Sequence, residues 1–247
     1  MPSTHDYIDD KRNNNIQVYI NGKFYHRSKA NISVMDSGFL LGDGVWEGIR
    51  LYNNALIHLE DHLSRLYHGA KSISMDIPLS KKEISIAILE TIKKNNMETD
   101  VHIRLIVSRG IKKTPYQNPK VTISPPTIVI IPEYKKASED VKKNGITIGT
   151  VKTIRDDRTQ DPKINSLSKH NCIAACIEAN MLGVDEGLML DPHGFVSTCN
   201  STNFFIVKNN EVWTSIGQYC LNGVTRKSVI RLCRQYNIPV YEKNFSL

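Results

Sequence analysis

Apolar and polar residues change period along the chain, and those changes outline the elements. Ile16 to Ile20, the turn pair Asn21-Gly22 and Lys23 to His26 predict a strand, a tight turn and a second strand. A glycine-punctuated segment from Asp36 through Gly38, Gly42, Gly44 and Gly48 runs into Ile49 to Tyr52 and, after a turn, a short strand from Ala55 to Leu59. Glu60 to Ser74 places Leu63, Leu66, Tyr67 and Ala70 at the spacing of a helix with one buried face. Ser80 followed three residues later by Glu83 predicts a capping box, opening a helix whose Ile84, Ala87, Ile88, Thr91 and Ile92 form one stripe and which Asn95-Asn96 ends. Val101 to Ser108 alternates apolar with polar or basic residues, the signature of a half-buried strand.

A proline-rich stretch from Pro115 to Pro126, a strand to Ile131 and the polar run from Pro132 to Lys143 separate this half from the next. Beyond it the pattern predicts a strand over Ile146 to Ile154 and a helix from Ser168 to Leu182, stopped by Gly183. A strand, turn and strand follow over residues 187–197, then a hairpin of Asn203 to Val207 with Val212 to Thr214, then a helix from about Thr225 to Tyr236. Val240 to Leu247 is read as carrying no further helix or strand. The organisation expected is a polar arm over 1–15, a lobe over 16–131, a linker over 132–145 and a second lobe over 146–247. Strands and helices mix throughout, so the fold class is α/β (α+β) with two lobes.

Composition narrows the class. The 247 residues are 40% hydrophobic and 23% charged, enough to bury a core and too evenly charged for disorder. The net charge of +7 favours anionic small molecules, but the basic residues lie in dispersed pairs such as Lys81-Lys82 and Lys112-Lys113 without interleaved aromatics, which argues against nucleic acid. No apolar run approaches the ~18 residues of a membrane span, and the polar N-terminus lacks a signal-peptide core, so a cytoplasmic protein is expected. Five cysteines with no C-x-x-C pair argue against a disulfide framework and a zinc site, and no metal is expected. Cys172 and Cys176, one helical turn apart, read as small core residues.

Two places suit an anion. Leu221 to Arg226 puts Gly223, Val224 and Thr225 at a helix start, where free N–H groups and the positive dipole end attract phosphate, or where Thr225 serves as an ordinary cap. Arg65, on the first long helix, has a planar fork suited to phosphate, or is a solvated helix arginine.

Val34 to Arg50, with its Gly42-Asp43-Gly44-Val45-Trp46-Glu47-Gly48-Ile49-Arg50 core, resembles the N-terminal signature of class IV (fold-type IV) pyridoxal-phosphate aminotransferases, the branched-chain and D-amino-acid group. Asp61-His62-Leu63-Ser64-Arg65-Leu66, Gly183 to Gly187, Asp191 to Phe195, Asn203 to Val207 and Gly223 to Arg226 resemble its remaining blocks in order, over about residues 16–247. The resemblance implies a two-lobed architecture with the cofactor cleft between lobes, a homodimer, and amino-group transfer between an amino acid and a 2-oxo acid. It implies that Arg65 and the Gly223-Val224-Thr225 turn hold the cofactor phosphate. Arg104 in His102-Ile103-Arg104 would take a substrate carboxylate, with His102 replacing the branched-chain family's tyrosine. Arg50 and Trp46 match substrate-pocket positions, against the alternative of a surface arginine and a partly buried core tryptophan.

Three departures stand out. An ungapped match of Asp161-Pro162 through Glu178-Ala179 puts Asn165 where the family has the lysine that forms an imine with the cofactor, and an amide cannot form one. Lys163, two residues back, shares a face in an extended strand, displaced by roughly 6.6 Å. Lys169, four residues on and near a helix start whose dipole favours a neutral amine, is the preferred replacement, with neither lysine as the third possibility. Thr198 stands where an acid normally keeps the pyridine nitrogen protonated, which weakens the electron sink and opens a lyase-type or non-catalytic alternative, unless water or another group serves there. The chain also stops at Leu247, where family chains usually continue to a further phosphate-binding turn, so either the sequence is truncated or the phosphate cup is incomplete.

Overall fold

The computed structural model describes residues 9–136 and 138–247; the first half of the predicted N-terminal arm lies outside them. Two compact units emerge. One comprises residues 9–136 together with Asn165–Ser168, the other Ser138–Ile164 with Lys169–Leu247.

The first unit is built on strands β1 (Gln17–Ile20), β2 (Lys23–His26), β3 (Gly44–Tyr52), β4 (Ala55–Ile57), β5 (Val101–Ser108) and β6 (Thr127–Tyr134), in the sheet order β2-β1-β6-β5-β3-β4 with every pairing antiparallel. Its helices are α1 (Ser37–Leu41), α2 (Leu59–Ser72) and α3 (Lys81–Lys94). The alternation in β3 and β5 has the expected consequence: Val45, Glu47, Ile49, Leu51, Ile103, Leu105 and Val107 are buried, while the residues that alternate between them are half-buried or exposed. Leu63, Leu66 and Ala70 of α2 and Ile84, Ala87, Ile88 and Thr91 of α3 are buried as well. Each fully buried aliphatic of this kind stabilises by about 1.5–3 kcal/mol relative to exposure. The capping box at Ser80 and Glu83 is present in both directions.

The polar arm is less loose than its composition suggests. Asp10 caps a 3-10 turn over Lys11–Asn15, and the buried Asn13 side chain exchanges hydrogen bonds with the backbone of Tyr134. The residues expected to begin a linker instead continue β6 to Tyr134, because Pro132 falls opposite Ile103 within the ladder.

The second unit comprises α4 (Glu139–Asn144), β7 (Ile148–Thr150), α5 (His170–Leu182), β8 (Glu186–Leu190), β9 (Val196–Cys199), β10 (Phe205–Lys208), β11 (Glu211–Thr214), α6 (Val224–Gln235) and β12 (Val240–Glu242). The strands form two three-stranded sheets, β7-β8-β9 and β10-β11-β12. Under the first, Val151, Ala175, Ala179 and Met189 make a small core. Gly187 permits that approach, since a Cβ there would stand 2.8 Å from Val151 and 3.0 Å from the Ala175 carbonyl.

Four expectations need correction. The strand proposed for Ile146 to Ile154 is confined to β7, because its ladder with β8 covers only Glu186 to Leu188. Residues 240–242 form β12, a strand parallel to β11, because an adjacent edge was waiting for it; three residues carry too little pattern to announce this. Lys163 lies in the turn closed by the Ile164 amide on the Asp161 carbonyl, so the extended geometry assumed for it does not hold. Cys176 is exposed and Cys172 only partly buried, because α5 turns Ala175 and Ala179 inward instead.

Candidate functional site

Strand β3 separates two groups of polar residues. Glu47 has the parity of Val45 and Ile49, which puts its carboxylate on the buried side, fully inaccessible to solvent. There α2 meets it twice. Arg65 donates from Nε and Nη2 to the two carboxylate oxygens at 2.8 and 2.6 Å, and His62 Nδ1 lies 2.7 Å from Oε2. A buried carboxylate is tolerable only when paired and hydrogen-bonded in this way. One edge of the Arg65 guanidinium is therefore committed to Glu47.

Trp46, Gly48 and Arg50 alternate to the opposite side, joined by His102 and Arg104, which pair in register with Arg50 and Gly48. The Arg104 guanidinium lies over the Trp46 ring, 4.2 Å from its centroid, and no acidic side chain among the described residues forms an ion pair with it. Burial lowers its pKa from the usual arginine value, an effect that the Glu133 carboxylate, on the strand beside it, opposes. Stacking of this kind holds the fork while leaving its in-plane donors available to a carboxylate. The His102 ring covers Gly48, where a Cβ would come within 2.7 Å of Nε2. Arg50 is tied more tightly: Nη1 donates to the Lys135 carbonyl, and burial lowers its pKa as well. The structure thus gathers Trp46, Arg50, His102 and Arg104 on one face and puts Arg65 on the other.

The edge of β3 that β4 leaves uncovered is filled by residues 165–168. The Trp46 amide donates to the Asn165 carbonyl at 3.0 Å, the Leu167 amide donates to the Gly44 carbonyl at 2.9 Å, and Val45 bridges Ser166. Asn165 is 6% exposed, and its side-chain Nδ2 donates to the Trp46 carbonyl at 2.8 Å. Gly42, in the left-handed conformation with φ +67, closes α1 against Ser168.

In the second unit, Gly223 is the N-cap of α6 and supplies no side-chain oxygen to its first amides. A Cβ at Gly223 would meet Asn203 Oδ1 at 2.2 Å, so any larger residue there would have to displace the Asn203 side chain from its bond to the Leu221 carbonyl. Val224 and Thr225 follow in the first turn. The buried Arg226 anchors that turn by donating from Nη2 to the Ser215 carbonyl at 2.6 Å and to Glu242 of β12 at 2.9 Å. Thr198, on β9, is 7% exposed and donates its hydroxyl to the Thr202 carbonyl at 2.7 Å. Burial pushes the neighbouring Cys199 thiol up to about 12, with the Glu186 carboxylate adding to the effect, so it is inert at neutral pH. Lys163 is exposed, its Nζ 3.9 Å from Asp161, and Lys169 is the N-cap residue of α5.

These residues fit pyridoxal phosphate at one end. The first amides of α6, which carry no side-chain cap, suit the phosphate. In the first unit, position 165 carries an amide already bonded to β3 and offers no amine for a covalent cofactor bond. Sequence reasoning missed Glu47 and His62; the signal was an acidic residue at buried parity within an apolar strand, facing a helix with basic residues three apart.

Residues 44–247 match the family described as amino-transferase class IV. A putative branched-chain-amino-acid aminotransferase of Methanocaldococcus jannaschii is 40% identical over 236 residues, covering 94% of this chain and 80% of that protein. The D-alanine aminotransferase of Listeria monocytogenes is 30% identical, covering 94% and 79% respectively. The crystal structure of the branched-chain amino acid aminotransferase from Thermobaculum terrenum in its PLP-bound holo-form superposes with a TM-score of 0.82 at 25% identity, covering 95% of this chain and 78% of that one.

Proposed function

The chain belongs to the class IV aminotransferases, and from that premise we propose that it serves pyridoxal-phosphate-dependent amino-group transfer between a branched-chain-type amino acid and a 2-oxo acid. The observation that carries the proposal is the Arg104 guanidinium, stacked on Trp46 and in no salt bridge with any described acid, on a sheet face shared with His102 and Arg50. Both substrates carry a carboxylate, and a held fork without a salt-bridge partner is what a carboxylate needs. On this reading Arg104, His102, Arg50 and Trp46 contact the substrate, and Arg65, Thr198, Gly223, Val224 and Thr225 contact the cofactor. Lys169, and after it Lys163, are the amines considered for position 165's missing role.

The cofactor supplies electron withdrawal from the substrate α-carbon when bound; this chain's part is to bind and orient. The proposal includes a homodimer, as the family resemblance implies, working in the cytoplasm. Five cysteines without a disulfide suit a reducing compartment. Incubation of the protein with pyridoxal phosphate, an aliphatic amino acid and a 2-oxo acid tests the reaction. Mass spectrometry should find the new 2-oxo acid and the new amino acid in equal amounts; no exchange with any aliphatic donor would end the proposal.

A further inference from the structure

Trp46, Arg50, His102 and Arg104 share one sheet face, as the resemblance implies for a substrate pocket, but the segment in which the family carries its cofactor bond does something else here. An amide nitrogen shares its lone pair with its carbonyl and is no nucleophile. Asn165 is also fixed in place: main chain and side chain both bond to Trp46, at 3.0 and 2.8 Å, and only 6% of the residue is exposed. Its work is to fasten residues 165–168 to the β3 edge. Lys163 stands in a solvent-exposed turn beside Asp161, and Lys169 lies beyond the β3 bridge, where the backbone turns into α5. The ring-nitrogen position is weakened too, since the Thr198 hydroxyl proton is directed at the Thr202 carbonyl and leaves only uncharged lone pairs.

We propose that this chain holds pyridoxal phosphate without any covalent bond, through its phosphate and ring alone, so that the cofactor exchanges freely with solution and the aldehyde and amine forms compete on equal terms. The inference rests on the proposed function for the identity of the cofactor. An imine bond is open to the aldehyde form only, so a site lacking it has no reason to prefer that form.

The test uses the full chain. After saturation with pyridoxal phosphate and borohydride reduction, peptide mapping should find no pyridoxyl adduct, and gel filtration of an unreduced sample should strip the cofactor. Fluorescence titration should give dissociation constants for pyridoxal phosphate and pyridoxamine phosphate within about 3-fold of each other. In Asn165→Lys, the new amine adds to the aldehyde carbon, a C=N bond forms, and the aldehyde oxygen leaves as water with the two amine hydrogens. That variant should gain a reducible adduct at position 165 and favour the aldehyde form by about 10-fold or more. Asn165→Ala, which removes the amide without adding an amine, should remain free of adduct. An adduct on Lys169 or Lys163 in the natural chain would overturn the inference and leave the proposed function standing. Failure of the natural chain to bind either form would overturn both.

Discussion

The two sides of β3 hold charged groups under opposite conditions. On the inner side the fully buried Glu47 carboxylate is held by Arg65 and His62, which are themselves largely covered. On the outer side Arg104 rests on Trp46 with no described acid in salt-bridge contact. The difference follows from a one-residue step along a strand, because successive side chains point to opposite faces. A charge that satisfies its neighbours becomes structure, whereas a charge left without a contact partner is available to a ligand.

Substitutions on each side should therefore fail in different ways. The largest effect is expected from Glu47→Ala, which deprives the partly covered Arg65 and His62 of their partner and leaves a void in the core; it should cost about 2–4 kcal/mol, read as a lower denaturation midpoint. A midpoint unchanged within error would mean that the inner cluster is not structural. Next comes Arg104→Ala, which removes a charge-assisted contact worth about 1.5–3 kcal/mol and should raise the KM for the amino acid by roughly 10- to 150-fold. Its stability should change by no more than about 1 kcal/mol, the worth of the stacking on Trp46. Loss of stability without loss of substrate affinity would reverse the comparison. Smallest is Gly48→Ala: the added methyl meets the tip of the His102 ring, which can swing away, so the cost should stay below about 1 kcal/mol while the substrate profile shifts. Equilibrium unfolding beside a donor series would separate the two.

The elements with strong periodicity were legible from sequence. Strand β5 was bounded correctly, and the capping box announced α3. What was not legible depended on partners distant in sequence. β12 exists because β11 offers an edge, and α5 hides alanines and exposes Ile173, Ile177 and Cys176, so apolar spacing alone misjudged which side faces inward. Among the candidate site residues, the motif match named Trp46, Arg50, His102 and Arg104, and the register of β3 and β5 puts these four on one face. It could not reveal that Arg65 shares its fork with Glu47, since a salt bridge between a strand and a helix eighteen residues apart leaves no mark on either motif.

The stitch between Asn165 and Trp46 spans 119 positions of the sequence. As the ribosome extends the chain, the amino-terminal sheet must wait, with one margin of β3 unzipped, until that late stretch emerges. Ring closure over so long a span carries a larger entropic toll than any neighbouring hairpin, though it grows only logarithmically with length. The amino-terminal half is thus finished last along that margin, and its maturation is coupled to synthesis of the half that follows.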